Sequence, residues 1–141
     1  MTMYENDYIL RMLRQVSEVF AKLLLNKKIK NYEVCHAITD DTLKNTFGIS
    51  RELLLKLPTS SIVDLVCGYN NVQAEILLSL TQLLIREGEI YEEEEIKQDA
   101  MVIYRKSLEL LDALHVEEDE SLEKYIITIK NNLLQKMAFH S

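Results

Sequence analysis

The sequence predicts an all-α fold of six to seven helices, and three observations predict it. Apolar residues recur at steps of three and four in every long segment. Only three glycines and one proline interrupt 141 residues. Leu, Ile, Glu and Lys are abundant, and the first, third and fourth enter helices readily. A sheet-rich fold would call for more turn residues.

The elements follow in order. Asn6 or Asp7 can cap the first helix. Ile9, Met12, Leu13, Val16, Phe20, Leu23 and Leu24 share one face, and Arg11, Arg14, Gln15, Glu18 and Lys22 take the other. This is an amphipathic helix of about six turns, ending near Asn26. Lys27, Lys28 and Lys30 suit the negative end of its dipole. The segment from Asn31 to Phe47 is a weaker helix, with Val34, Cys35, Ile38, Thr42 and Phe47 on one side. Thr39-Asp40-Asp41-Thr42 makes a poor helix interior and reads as a break or kink. Gly48 stands where a left-handed C-terminal cap belongs, with Ile49 to make the accompanying apolar contact.

Ser50 caps a short helix over Arg51 to Lys56, and Pro58 ends it by pushing Leu57 out of the helical region. Ser61 and Asp64 have capping-box spacing for another short helix, closed by Cys67-Gly68. Val72 to Glu87 is the most apolar helix, with a narrow polar stripe of Glu75, Ser79, Gln82 and Arg86, and Gly88 is positioned to end it. After five carboxylates between Glu89 and Glu95, two apolar rows run on together. One is Ile96, Ala100, Ile103, Ser107, Leu110 and Leu114; the other is Met101, Tyr104, Leu108 and Leu111. Gln98, Asp99, Arg105, Lys106, Glu109 and Asp112 face away, with Val102 as the apolar exception. Asp119 or Ser121 caps a last helix whose inward side holds Leu122, Tyr125, Ile126, Ile129, Leu133 and Met137.

A chain of this length buries roughly two-thirds of its unfolded surface, so a core needs no staples. We expect one helical domain over 1–141. It comprises N-terminal helices within 6–47, a connector of short helices over 48–70 and a three-helix C-terminal half over 71–138.

The formal net charge of −7 argues against nucleic-acid and anionic-membrane partners. Cys35 and Cys67 share no metal or disulfide spacing. The polar opening is unlike a secretion signal, and no apolar run is of membrane-spanning length, so a cytoplasmic location is expected.

Ala74, Leu77, Leu80, Leu84 and Gly88, followed by the small–large–small order Ala100, Tyr104, Ser107, resemble a tetratricopeptide repeat. The match covers about a third of the chain. It departs in the connection from Gly88 to Ala100, which is longer than the usual hairpin by about seven residues, or two helical turns. The second helix is therefore expected to start two turns early. The opening Met3-Tyr4-Glu5-Asn6-Asp7-Tyr8 is similar to the start of an uncharacterised bacterial family, mainly from Firmicutes. Phe47-Gly48-Ile49 with Leu53-Leu54, and Tyr104-Arg105-Lys106-Ser107-Leu108, fit it too. That resemblance implies a small helical protein of tetratricopeptide-like character and no assigned activity.

Chemistry-bearing residues are sparse. Cys35-His36 are adjacent on a helix, about 100° apart, and cannot act as a nucleophile–base pair. Cys35 reads as a structural thiol, and His115 and His140 are scattered. Glu92 to Glu95 read as the solvated first turn of a helix, favoured by its dipole. Their exchange for glutamine is expected to leave stability nearly unchanged. Tyr4, Asp7, Tyr8 and Arg11 have the composition of interface anchors, and with Glu92 and Glu93 they are the candidate partner-binding residues. No phosphate loop, metal motif or catalytic motif occurs. The expectation is a non-catalytic, cofactor-free interaction module holding a peptide or helix of a partner protein in a helical-repeat groove. Exposed Asn, Gln or Arg side chains on a concave face would support it. The alternatives are a homodimer or higher homo-oligomer and, behind that, a small-ligand binder or enzyme with polar groups converging near His36 or His115.

Overall fold

The computed structural model describes residues 3–67, 73–114 and 120–139, with side chains from Leu10 onward apart from Gln73. Its regular elements are α1 (Met3–Lys28), α2 (Tyr32–Thr46), α3 (Arg51–Lys56), α4 (Thr59–Cys67), α5 (Gln73–Glu93), α6 (Lys97–Asp112) and α7 (Glu120–Phe139). The fold is all-α, as the periodicity predicts. His115 and most of the acidic loop after it lie outside the described residues, as does His140.

Helix α5 is the centre of the assembly. It packs on α6, its antiparallel hairpin partner, and also touches α1, α2 and α4. Ile76, Leu77, Leu80, Leu83 and Leu84 on its wide apolar face are all buried. A helix with so little polar surface has to lie between neighbours. Contacts along it fix the directions of the others. Phe20 lies by Arg86 and Lys27 by Glu93, so α1 runs parallel to α5. Gln82 meets Tyr125 and Glu89 meets Lys136, so α7 does the same on another side. The apolar residues of α6 divide between two clusters, with Ala100 of the first row joining the second. Ile103 and Leu110 join the main core with α1 to α5, while Ala100, Tyr104 and Leu111 pack with Ile126 and Leu133 of α7.

Local chemistry explains where α2 stops and α3 starts. Helix α2 runs through Thr39–Thr42 without a break. Both threonine hydroxyls donate to carbonyls four residues back, Cys35 O at 3.1 Å and Ile38 O at 2.8 Å, and so need no other partner in the interior. Gly48 then takes φ of 70°, and the Ile49 N–H donates to Leu43 O at 3.1 Å with Ile49 buried. This is the left-handed cap expected there. Ser50 Oγ accepts from the Leu53 N–H at 3.2 Å and starts α3. Helix α4 begins at Thr59, so Ser61 lies inside it and is not its cap.

The largest departure from expectation is at Gly88, where α5 does not end. It continues to Glu93 and is closed by Glu95, whose φ is 64°, with the Ile96 N–H donating to Tyr91 O at 2.9 Å. Gly88 serves packing instead. A Cβ there would lie 2.4 Å from Cε1 of Tyr104, so the missing side chain is the space into which the Tyr104 ring fits. The two surplus turns thus lengthen the first helix of the hairpin and do not advance the second.

Further assignments change, Val34 and Ile96 among them, both of which are exposed. Leu13 and Leu24 of α1 are exposed, which leaves Met12, Val16 and Leu23 as the buried row. Tyr125 of α7 is half exposed. Lys106 points inward and its Nζ donates to Leu57 O at 2.8 Å, fastening the end of α3 to α6.

Candidate functional site

Two polar arrangements flank α5. The first follows from its extra turns. Glu87, Tyr91 and Glu94 stand at positions i, i+4 and i+7, one stripe of a helix. On α2, His36 and Asp40 are likewise one turn apart. Arg51, the first residue of α3, reaches between the two helices. Its Nε donates to Asp40 at 2.7 Å, Nη1 to the Tyr91 hydroxyl at 2.7 Å and Nη2 to Glu87 at 2.6 Å. His36 Nδ1 meets Glu87, His36 Nε2 meets Glu94, and its ring stacks on Tyr91 at 4.4 Å between centroids.

Glu87 is fully buried, and a buried carboxylate costs several kcal/mol unless it is paired and hydrogen-bonded. Here each oxygen has its own cationic or ring donor. The His36 ring thus lies between two carboxylates, one at each nitrogen. Burial alone would lower the basicity of Arg51. The Glu87 charge and the bond to Asp40 outweigh it and raise the guanidinium above its ordinary value. Burial raises the Tyr91 hydroxyl, Arg51 opposes that, and Glu87 adds to it. The Cys35 thiol is raised first by burial and then by Glu87 and Glu94. Its Sγ lies 3.7 Å from Leu23 O, in keeping with a structural thiol.

The acidic run is thus not the first turn of a helix. It lies at the C-terminal end of α5, where the dipole disfavours carboxylates, and cations and hydroxyls compensate it. Besides Glu87 and Glu94 on His36, Glu93 meets Lys27 at 3.6 Å and accepts from the Tyr32 hydroxyl at 3.3 Å. Glu92 lies against the Tyr104 hydroxyl; burial and then that carboxylate raise the hydroxyl far above its ordinary value.

The second arrangement is a groove on another side of α5, made of two hollows that share Arg86. One is lined by Phe20, Ala21, Leu24 and Lys27 of α1 with Arg86 and Ile90 of α5. The other is lined by Gln82, Arg86 and Glu89 of α5 with Tyr125, Ile129, Asn132 and Lys136 of α7. The Arg86 guanidinium lies over the Phe20 ring, 5.6 Å from its centre, and Nη1 donates to Glu89 at 3.1 Å. Lys136 approaches the other Glu89 oxygen at 3.6 Å, and Gln82 Nε2 donates to the Tyr125 hydroxyl at 2.7 Å.

The candidate binding residues fall in two places. Tyr4, Asp7 and Tyr8 belong to the first turns of α1, and their side chains lie outside the described ones. Arg11 is exposed. It stands sixteen residues before Lys27, hence about 24 Å along the helix from the Lys27–Glu93 contact. Glu92 and Glu93 are therefore at the other end of the molecule from it. His36 is one of the two places where the sequence allows polar groups to converge, but Arg51 was not legible as a partner there. The available signal was the i, i+4, i+7 spacing of Glu87, Tyr91 and Glu94, which a helix ending at Gly88 conceals. Among the described residues, no group of three or more His, Cys, Asp and Glu is placed to hold a metal ion, and no helix is long and apolar enough to cross a membrane.

Comparisons with protein-family models, with curated proteins and with solved structures find no match to this chain.

Proposed function

We propose that this protein is a non-catalytic interaction module that holds a peptide or helix of a partner protein in the groove along α5. The observation that carries the reading is the lining of that groove. Gln82, Arg86 and Asn132 offer hydrogen-bonding groups between apolar walls from α1 and α7. Such a mixture orients a bound chain through polar contacts and holds it through apolar ones. The parallel course of α1, α5 and α7 supports the tetratricopeptide-like arrangement that the sequence resembles, with first helices of successive pairs lining one face. The His36–Arg51–Glu87 cluster fits a structural role in this reading, because its members are bonded to one another across α2, α3 and α5.

A second reading rests on a different observation. Leu10, Leu13, Leu24 and Leu25 of α1 and Ile127 and Leu134 of α7 are exposed, and apolar residues on terminal helices suit a twofold self-association. Light scattering at high micromolar concentration separates the two, since a monomer there removes the self-association.

The groove reading is tested by affinity capture from the source cell with the wild-type chain and with a doubly blocked variant, Leu24→Arg with Ile129→Arg. A partner recovered by the first and lost by the second, at equal stability, is the expected result. Partners retained equally by both would defeat it.

A further inference from the structure

We infer that the segment held in the groove is acidic, an amphipathic stretch whose carboxylates meet Arg86, Lys136 and Lys27; this rests on the groove reading above. The chain carries 16 basic and 23 acidic residues, yet the groove gathers three cations from three helices. Each is at least a quarter exposed at its side chain: Arg86 55%, Lys136 35% and Lys27 28%. Glu93 meets Lys27, and Glu89 spends one oxygen on Arg86 and the other on Lys136, so two negative charges serve three positive ones. Arg86 presents five N–H donors, of which one is given to Glu89. The Phe20 ring lies beneath it, 5.6 Å from its central carbon. Tyr125 accepts from Gln82 and keeps its own hydroxyl proton to donate.

The unspent capacity of the groove is thus mostly donor and positive, and an acceptor-rich, negative occupant complements it. A carboxylate accepts two parallel N–H bonds from a guanidinium. The apolar walls of Phe20, Leu24 and Ile129 require side chains that a free anion lacks, which favours a peptide segment over an inorganic ion. Glu89 itself sits as an internal substitute for one ligand carboxylate.

The test is selection of a random-peptide display library, long enough to carry i, i+4 and i+7 anchors, on the immobilised full chain. Selected peptides are expected to be enriched in Asp and Glu alternating with Leu or Phe. They should lose roughly tenfold or more in affinity on Arg86→Glu with Lys136→Glu, weaken with added salt and bind Glu89→Gln several-fold more tightly. Circular dichroism and urea melts of each variant exclude unfolding as the cause. Peptides that carry no acidic excess but are lost on Leu24→Arg with Ile129→Arg would overturn the charge assignment and leave the groove reading standing. Peptides indifferent to that double variant, or no selection at all, would overturn both. Competition by inorganic phosphate as strong as by the peptide would reduce the site to a simple anion site and overturn the inference.

Discussion

On one side of α5, Glu87, Tyr91 and Glu94 turn toward α2 and α3 and find partners already in place. About 100° round the same helix, Arg86 turns toward α1 and α7 with donors to spare. The two residues are adjacent in sequence and both are charged, yet Glu87 is fully buried while the Arg86 side chain is 55% exposed. The difference lies in solvent. A charge removed from water has to be matched by fixed partners, and once matched it is unavailable for a ligand. A charge left at the mouth of a groove contributes little to stability and keeps its capacity for binding. Polar residues on the buried side hold the frame, and those on the open side are where binding chemistry is left over.

The comparison can be broken most forcefully at Arg51. Arg51→Ala leaves Glu87 buried with the His36 ring alone, and a loss of about 3–5 kcal/mol is expected in urea denaturation. Arg51→Met with Glu87→Leu removes both charges and should recover most of that loss. A double variant as unstable as the single one would show that the cluster is not a self-contained unit. By the same logic Glu94→Gln should now cost stability, contrary to the expectation for a solvated helix start.

Gly88→Ala tests the packing behind the groove. The added methyl meets the Tyr104 ring, and a loss of about 1–3 kcal/mol is expected. Tyr104→Leu in the same chain should make the glycine substitution less costly, so the two effects will not add.

The titration of Tyr104 sets an alkaline limit. Its folded value lies above the ordinary 10.0, so between the two the unfolded state binds fewer protons and stability falls as pH rises. The full contribution is present below about pH 10 and is lost progressively above it. Tyr91 is shifted the same way. With seven tyrosines and no tryptophan, tyrosinate absorbance should show buried hydroxyls ionising only as the chain unfolds. Tyr104→Phe should flatten the alkaline fall.

The smallest effect is expected at the hinge between α5 and α6. Glu95 adopts a left-handed conformation that costs a residue with a Cβ about 1–2 kcal/mol. Glu95→Gly should recover roughly 0.5–1 kcal/mol of it in a thermal melt.

That same residue shows why spacing alone misplaces the end of α5. Helix boundaries were legible where the backbone and the side chain agreed: Gly48 at a left-handed cap, Ser50 at an N-terminus, Pro58 at a stop. They were illegible where the two were exchanged. Gly88 occupies an ordinary helical position for the sake of a ring packed against it, and Glu95 takes the conformation that glycine favours. The first depends on a contact with another helix, and the second on a local cap at an exposed residue. The polar cluster was hidden as a result, since Glu87 joins the stripe of Tyr91 and Glu94 only if α5 continues. The groove was half visible: Gln82 and Arg86 belong to the polar stripe read from spacing, whereas the walls required the directions of α1 and α7.

The short α3 is fastened at both ends. Arg51, its first residue, is tied to Asp40, Tyr91 and Glu87, and the carbonyl of Leu57, just past its last, accepts from Lys106 of α6. A six-residue helix has almost no stability of its own, so it exists by virtue of neighbours from both halves of the chain. Opening either half releases it, and its loss strips partners from the other. The consequence is cooperativity. Amide exchange in α2, α5 and α6 should converge on a common opening free energy, with the outer turns of α7 exchanging ahead of them.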